Sequence, residues 1–436
     1  MMKNRKSQLI ARRILSGFIA VCCLSVSATE TDFVSTIKNG YSAEKAYELH
    51  NKWSVGKFIT ITEAGGYSYL HLGEFLPQAI IARDGKVAQL ERKLIPSVGK
   101  VELTNEGGDS LSLQAMITAK NSPVQGMMVL HKGKVAFEQY LGMRKNDSHV
   151  WMSNAKVVAG LLIAQLEEEG KVDVDKPLAF YMEQAKGTAW EKIKVIDLLN
   201  MQTGLDLLES AKERSNPNSG ISQFYASEVG AVNNKGIKQT HNEALFSIKA
   251  LHEPGNAFEY SSAVTQMLGL LIEEVTGVRL AELISDRIWR HAGMKGDATL
   301  ALSPQGNGII HGLISSRLED MARFALLHTP SWNKVSETRI VSKNILNKIQ
   351  HAGKPQNYLK GTFGPHLTKT FREQPLHNSY QWDAVFADGD IYKAGMSGQG
   401  LYVSPARDVV VVWFATGYAE IPIEAYARKI AKSFKP

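Results

Sequence analysis

Ser153 and Lys156 stand three residues apart at the head of an apolar run, Val157 to Ala164, which turns polar through Gln165 and Glu167 to Glu169 and stops at Gly170. A serine hydroxyl becomes a nucleophile when a base lies beside it, and an amine can be that base. Positions i and i+3 share one face of a helix, so the helix expected here sets the Lys156 amine beside Ser153. The same spacing begins at Ser35, Ser54, Ser97 and Ser331, but no comparable apolar run follows those serines. The plainer alternative is a serine that caps the helix and a lysine that snorkels to water.

Two other stretches carry groups that fit the same chemistry. Pro254-Gly255 makes a turn, and Tyr260 then lies directly before a second predicted helix with an apolar stripe of Val264, Met267, Leu268, Leu271, Ile272 and Val275 that ends at Gly277. A tyrosine fixed there beside a lysine is expected to lose its proton more readily, and to pass a proton between Ser153 and a leaving group. A core tyrosine with a backbone partner is the alternative. In Lys393-Ala394-Gly395-Met396-Ser397-Gly398-Gln399-Gly400, small residues let a substrate lie against a strand edge, and backbone N–H groups can complete an oxyanion hole with that of Ser153. The same loop could also do no more than enter a hairpin.

These pieces need a frame to hold them. Met127–Leu130 and Val135–Tyr140 flank Lys132-Gly133 as a β-hairpin, and Leu401–Val403 and Val409–Phe414 flank a second. Ile423, Tyr426, Ala427, Ile430, Ala431 and Phe434 keep the spacing of a terminal amphipathic helix. Strands at both ends of a mostly helical middle predict an α+β fold, in which one antiparallel sheet built from the two ends carries an inserted, mainly helical subdomain. Within the insertion a helix is expected over Val195 to Thr203, ending at Gly204, and a loop over Ser215 to Gly220. Residues 29–118 form an N-terminal extension, with a strand-like Ala79–Ala82, and residues 119–436 form the main domain.

Residues 1–28 combine Lys3, Arg5, Lys6, Arg12 and Arg13 with an apolar stretch from Ile14 to Leu24 and the ending Val26-Ser27-Ala28. That is the pattern of a cleaved secretory signal, which implies a periplasmic or secreted protein. Five of the seven net positive charges lie in it, which leaves +2 for the rest and gives no reason to expect nucleic acid as a partner. No later segment approaches the roughly 18 apolar residues of a membrane span, so stable membrane insertion is not expected. Both cysteines, Cys22 and Cys23, also fall within the signal, which removes disulfides and a thiol nucleophile from the mature chain. The 12 histidines form neither His-Glu-x-x-His nor His-x-His, so no metal and no other cofactor is expected, and His311 is read as structural.

Taken in order, Ser153-x-x-Lys156, Tyr260-Ser261-Ser262 and Lys393-Ala394-Gly395 resemble the signature of the serine β-lactamase and penicillin-binding-protein superfamily. Gly126–Lys134 with Phe137-Glu138, His149–Ser153 and Asp197–Leu205 are similar to further stretches of it. Trp53-Ser54 and Leu76–Ala79 resemble the lead-in of its class C-like branch of esterases and 6-aminohexanoate-dimer hydrolases. The resemblance implies acyl transfer from a small ester or amide: Ser153 attacks, Lys156 and Tyr260 handle the proton, and the N–H groups of Ser153 and Met396 hold the oxyanion. It places Tyr225, Ser262, Lys393, Gly395, Ser397 and Gln399 around the substrate. Ala394 and Ser262 depart from the usual Thr and Asn, which argues against an efficient β-lactamase. A DD-peptidase or β-lactamase, or a non-catalytic binder of the same fold, are the alternatives.

Overall fold

Val124–His131 (β1) and Lys134–Tyr140 (β2) form the first hairpin of the main sheet. His377–Ser379 (β3), Trp382–Val385 (β4), Ile391–Gly395 (β5), Gln399–Ser404 (β6) and Val409–Ala415 (β7) supply the remaining strands of a seven-stranded antiparallel sheet, in the order β2-β1-β7-β6-β5-β4-β3. The two ends of the domain thus meet where β1 pairs with β7, Val129 opposite Val411, as strands at both ends of a helical middle predict. The computed structural model describes residues 37–60, 62–232 and 236–436, so the expected signal at 1–28 lies outside the described residues.

Both faces of the sheet are buried, and alternation along each strand sorts the side chains between them. Met128, Leu130, Val410 and Val412 face a core shared with the inserted helices. Met127, Val129, Val411 and Trp413 face a second core closed by the terminal helix Ile423–Ser433, whose Ile423, Tyr426, Ala427, Ile430 and Ala431 are buried at the predicted spacing. Each fully buried Leu, Ile or Val contributes roughly 1.5–3 kcal/mol, and both cores are built largely of such residues.

Three inserted helices matter to the site: Lys156–Glu168 (α1), Gly220–Glu228 (α2) and Ser262–Thr276 (α3). Helix α1 packs against α3 because both are apolar on almost every face, and Gly160 lets α1 reach the Tyr380 backbone, where a Cβ would lie 2.3 Å from a carbonyl oxygen. Gly277 closes α3 in the left-handed region at φ 67°.

Two local expectations are corrected. The helix expected to reach Thr203 spans only Val195–Leu199, because the side chain of Gln381 takes the Leu198 carbonyl, its backbone N–H takes that of Leu199, and Asn378 takes that of Asn200. The loop expected over Ser215–Gly220 is shorter, since a helix runs to Ser215 and α2 begins at Gly220 with Ser219 as its cap. The N-terminal extension is mostly helical from Ala43 to Leu70, and its strand Gln78–Ile81 pairs with Ala298–Ala301 in a separate four-stranded sheet. Among the described residues no helix is long and apolar enough to cross a membrane.

Candidate active site

Ser153 lies in a short 3-10 turn, Met152–Ala155, that runs directly into α1. Met152 enters this turn at φ 49°, a conformation that costs a non-glycine residue on the order of 1–3 kcal/mol and is held here by burial against Phe58 and Leu313. Gly395 of β5 faces the turn. A Cβ there would lie 2.8 Å from Asn154 Nδ2 and 3.1 Å from the Trp151 carbonyl, so the glycine brings the strand close to the serine turn rather than making room for a ligand.

The Lys156 side chain is fully buried, which dismisses the snorkelling alternative. Its Nζ lies 2.6 Å from the His311 carbonyl oxygen, 3.0 Å from Ser262 Oγ and 3.2 Å from Ser153 Oγ. Burial is the largest influence on the amine and pushes it down to about 7; Glu209, Asp383 and Glu228 pull the other way, and Lys393 adds to the depression. A neutral amine has two N–H donors and one lone pair. The His311 carbonyl can only accept, and Ser262 Oγ accepts from Lys156, which leaves the lone pair open to the Ser153 hydroxyl. Lys156 can therefore take the Ser153 proton near neutral pH.

For any reaction that begins with this transfer, kcat/KM should rise with pH along a one-proton limb with its midpoint near 7, because the protonated amine below that pH is no base. A pH profile on a neutral substrate checks this. A midpoint near the ordinary lysine value of about 10.4 would remove Lys156 from that role.

Tyr260 precedes α3, hydrogen-bonded to Ser153, with the Lys156 and Lys393 amines 5.2 Å and 4.7 Å from its ring centroid. The expectation that it loses its proton readily is corrected. Burial first, then the nearby Asp383 and Glu209 charges, raise its phenol well above the usual value. Tyr260 is thus a phenol across the working pH range.

Lys393 does not line the cavity. Its buried amine is 2.5 Å from Asp383 Oδ1, and the other carboxylate oxygen accepts the Ala394 N–H at 2.9 Å. The lysine is therefore held by Asp383 beside Tyr260 and is not free to meet a substrate carboxylate. Gln399 pairs with Gly395 in the β5–β6 hairpin and its side chain is buried behind the turn, reaching the Met396 carbonyl at 3.4 Å. Ser397, at φ 63°, gives its N–H to the Tyr418 hydroxyl at 3.3 Å. Of this turn, Met396 is the residue that reaches the cavity.

The cavity in front of Ser153 has about 650 Å³ of free space, including its open mouth. One side is polar, with Ser262, Tyr225, Glu209, Glu228 and His311; the other is apolar, with Met152, Leu313 and, from the N-terminal extension, Trp53, Phe58 and Leu76. Glu209 accepts the Ser262 N–H and so stabilises the first turn of α3, where Ser261 offers no side-chain cap. Glu228 and His311 form a neutral hydrogen bond rather than an ion pair: burial pushes the carboxyl up to about 8 and the imidazole well below its usual value. His311 is structural through this bond, yet its ring borders the cavity and its carbonyl holds Lys156. Glu209, Glu228, Asp383 and the apolar wall are absent from the sequence-derived candidates. Only Asp383, a charge inside the apolar strand Trp382–Val385, left a visible signal. Among the described residues no group of three or more His, Cys, Asp or Glu side chains is placed to hold a metal.

A family model described as Beta-lactamase matches residues 113–433. The 6-aminohexanoate-dimer hydrolase of Paenarthrobacter ureafaciens is 25% identical over 364 residues, 83% of this chain and 84% of that enzyme. A Bacillus anthracis protein solved under the same enzyme name superposes with a TM-score of 0.71 at 22% identity, covering 84% of this chain and 92% of its own. A β-lactamase/D-alanine carboxypeptidase from Yersinia pestis does so with a TM-score of 0.54 at 17% identity, covering 72% and 94%. At such identities these two structures establish the shared fold alone.

Proposed function

Since the chain belongs to the Beta-lactamase family and is a hydrolase of it, we propose that it is an exported serine hydrolase that cleaves small, uncharged esters or amides through an acyl-enzyme on Ser153. The observation that carries this reading is the Ser153 hydroxyl 3.2 Å from a buried amine whose proton affinity has fallen to the neutral range. Ser153 Oγ attacks the carbonyl carbon as its proton passes to Lys156. The oxyanion is held by the N–H groups of Ser153 and Met396, because the next N–H of that turn is bonded to Tyr418. Tyr260 and the Lys156–Ser262 pair then return the proton to the leaving oxygen or nitrogen, and Tyr225, on Ser262, stands where a leaving amine departs. Water resolves the acyl-enzyme by the reverse sequence. The charged, basic segment at 1–28 supports export.

The lining supports an uncharged substrate. The Lys156 amine is engaged by the His311 carbonyl, Ser262 and Ser153, the Lys393 amine is bound to Asp383, and Glu209 faces the cavity, so among the described residues no Lys or Arg lines it to meet a free carboxylate. We expect kcat/KM on a short-chain nitrophenyl ester and on a small neutral amide to exceed that on a cephalosporin and on a D-Ala-D-Ala peptide by at least about tenfold, since a charge-assisted hydrogen bond contributes roughly 1.5–3 kcal/mol and none is offered. Steady-state rates on these four compounds decide it. Faster turnover of either carboxylate would replace this reading with the peptidase or β-lactamase one.

A further inference from the structure

The turn that carries Met396 is gripped from three directions. Trp413 Nε1 donates to the Gly398 carbonyl at 2.7 Å and the Tyr418 hydroxyl accepts from the Ser397 N–H; both grips come from the sheet and the loop that follows it. The third comes from the N-terminal extension. Tyr69, 2% exposed, on the helix Glu63–Leu70, has its hydroxyl 2.6 Å from Ser397 Oγ and 3.0 Å from the Phe58 carbonyl oxygen. A carbonyl only accepts, so Tyr69 spends its single proton on Phe58 and must accept from Ser397. The result is a directed chain, Ser397 O–H to Tyr69 O–H to Phe58 carbonyl. It ties the residue after Met396 to the residue whose ring walls the cavity and stacks edge-on against Tyr69 at 5.4 Å. Ser397 holds φ 63° without being a glycine, a conformation that persists only where neighbours fix it.

We propose that Tyr69 is a positioning residue for the oxyanion donor: through Ser397 it fixes the turn so that the Met396 N–H points at the developing negative charge, and it thereby makes the N-terminal extension part of the catalytic machinery. This rests on the acyl-transfer reading above. Burial raises the Tyr69 phenol, so the hydroxyl keeps the proton this chain requires.

Tyr69→Phe keeps the ring and its packing and removes only the hydroxyl. On a neutral nitrophenyl ester, kcat should fall about tenfold with KM little changed, a fraction of the hundredfold or more lost when an oxyanion donor is removed outright. Affinity for phenylboronic acid, which bonds to the serine oxygen and sets a negatively charged tetrahedral centre in the site, should fall by a similar factor. Ser397→Ala should reproduce both losses, and Tyr69→Phe/Ser397→Ala should be no worse than either single variant, as expected of groups in one chain. A merely structural role would lower the Tm of Tyr69→Phe but leave kcat and boronate affinity as in the parent, and that result would overturn the proposal, as would losses that add in the double variant. Parent enzyme that neither hydrolyses the ester nor takes up the boronate would overturn the acyl-transfer reading itself, and the proposal with it.

Discussion

Ser153→Ala should abolish turnover, with kcat reduced on the order of 10⁴- to 10⁶-fold, while circular dichroism and Tm stay close to the parent. Losses of that size follow when a serine nucleophile is removed and only binding and the oxyanion donors remain. The fold has little stake in the hydroxyl. Ser153 does not cap α1, whose N-cap Ala155 makes no side-chain hydrogen bond, so the substitution removes only the contacts to Lys156 and Tyr260, each on the order of 1 kcal/mol. Steady-state kinetics on the neutral ester alongside thermal unfolding separates the two effects. Activity within tenfold of the parent would take Ser153 out of the mechanism.

Lys156 and Tyr260 should prove equally inseparable. Lys156→Ala and Tyr260→Phe should each slow acylation by roughly 10²- to 10⁴-fold, the range supplied by a positioned acid or base, and the double variant should be little worse than the poorer single one. Both groups act on one proton at Ser153, the amine by accepting it and the phenol by donating to the leaving group. Lys156→Ala also strips the His311 carbonyl and Ser262 Oγ of their donor, so its Tm should fall by more than that of Tyr260→Phe. Lys156→Met, which fills the same space without the amine, keeps the kinetic loss apart from the cavity. Losses that add in a double-mutant cycle on the acylation rate would show that the two groups act independently.

Much of this arrangement was legible in the residues because it is local. The hairpins at β1–β2 and β6–β7 show in apolar runs that flank short turn segments, and Ser153 and Lys156 are joined by helical geometry that the apolar run after them already implies. The antiparallel sheet followed from having strands at both ends and helices between. What escaped depends on contacts across the chain. The helix at Val195 stops at Leu199 because side chains of Asn378 and Gln381 take its last carbonyls, and nothing near Thr203 announces them. Tyr260 was expected to ionise beside a lysine; burial outweighs that neighbour, and Asp383, which adds to the effect, stands far along the chain. Lys393 has the place in sequence of a substrate-reading cation, but the same Asp383 holds its amine. Glu209 reads as one more acid in a polar stretch until α3 sets the Ser262 N–H against it. Trp53, which caps the helix Ala43–Lys52, and Phe58, which ends the helix Val55–Phe58, reach the site by packing with Met152.

The central claim is that Ser153 is the nucleophile, and it is tested most directly by labelling the protein with a fluorophosphonate and mapping the modified peptide by mass spectrometry. The account predicts a single adduct on Ser153, formed faster as pH rises through about 7, the value to which burial lowers Lys156, and absent from Ser153→Ala. An adduct on another serine, or none on a folded protein that still hydrolyses the neutral ester, would contradict it.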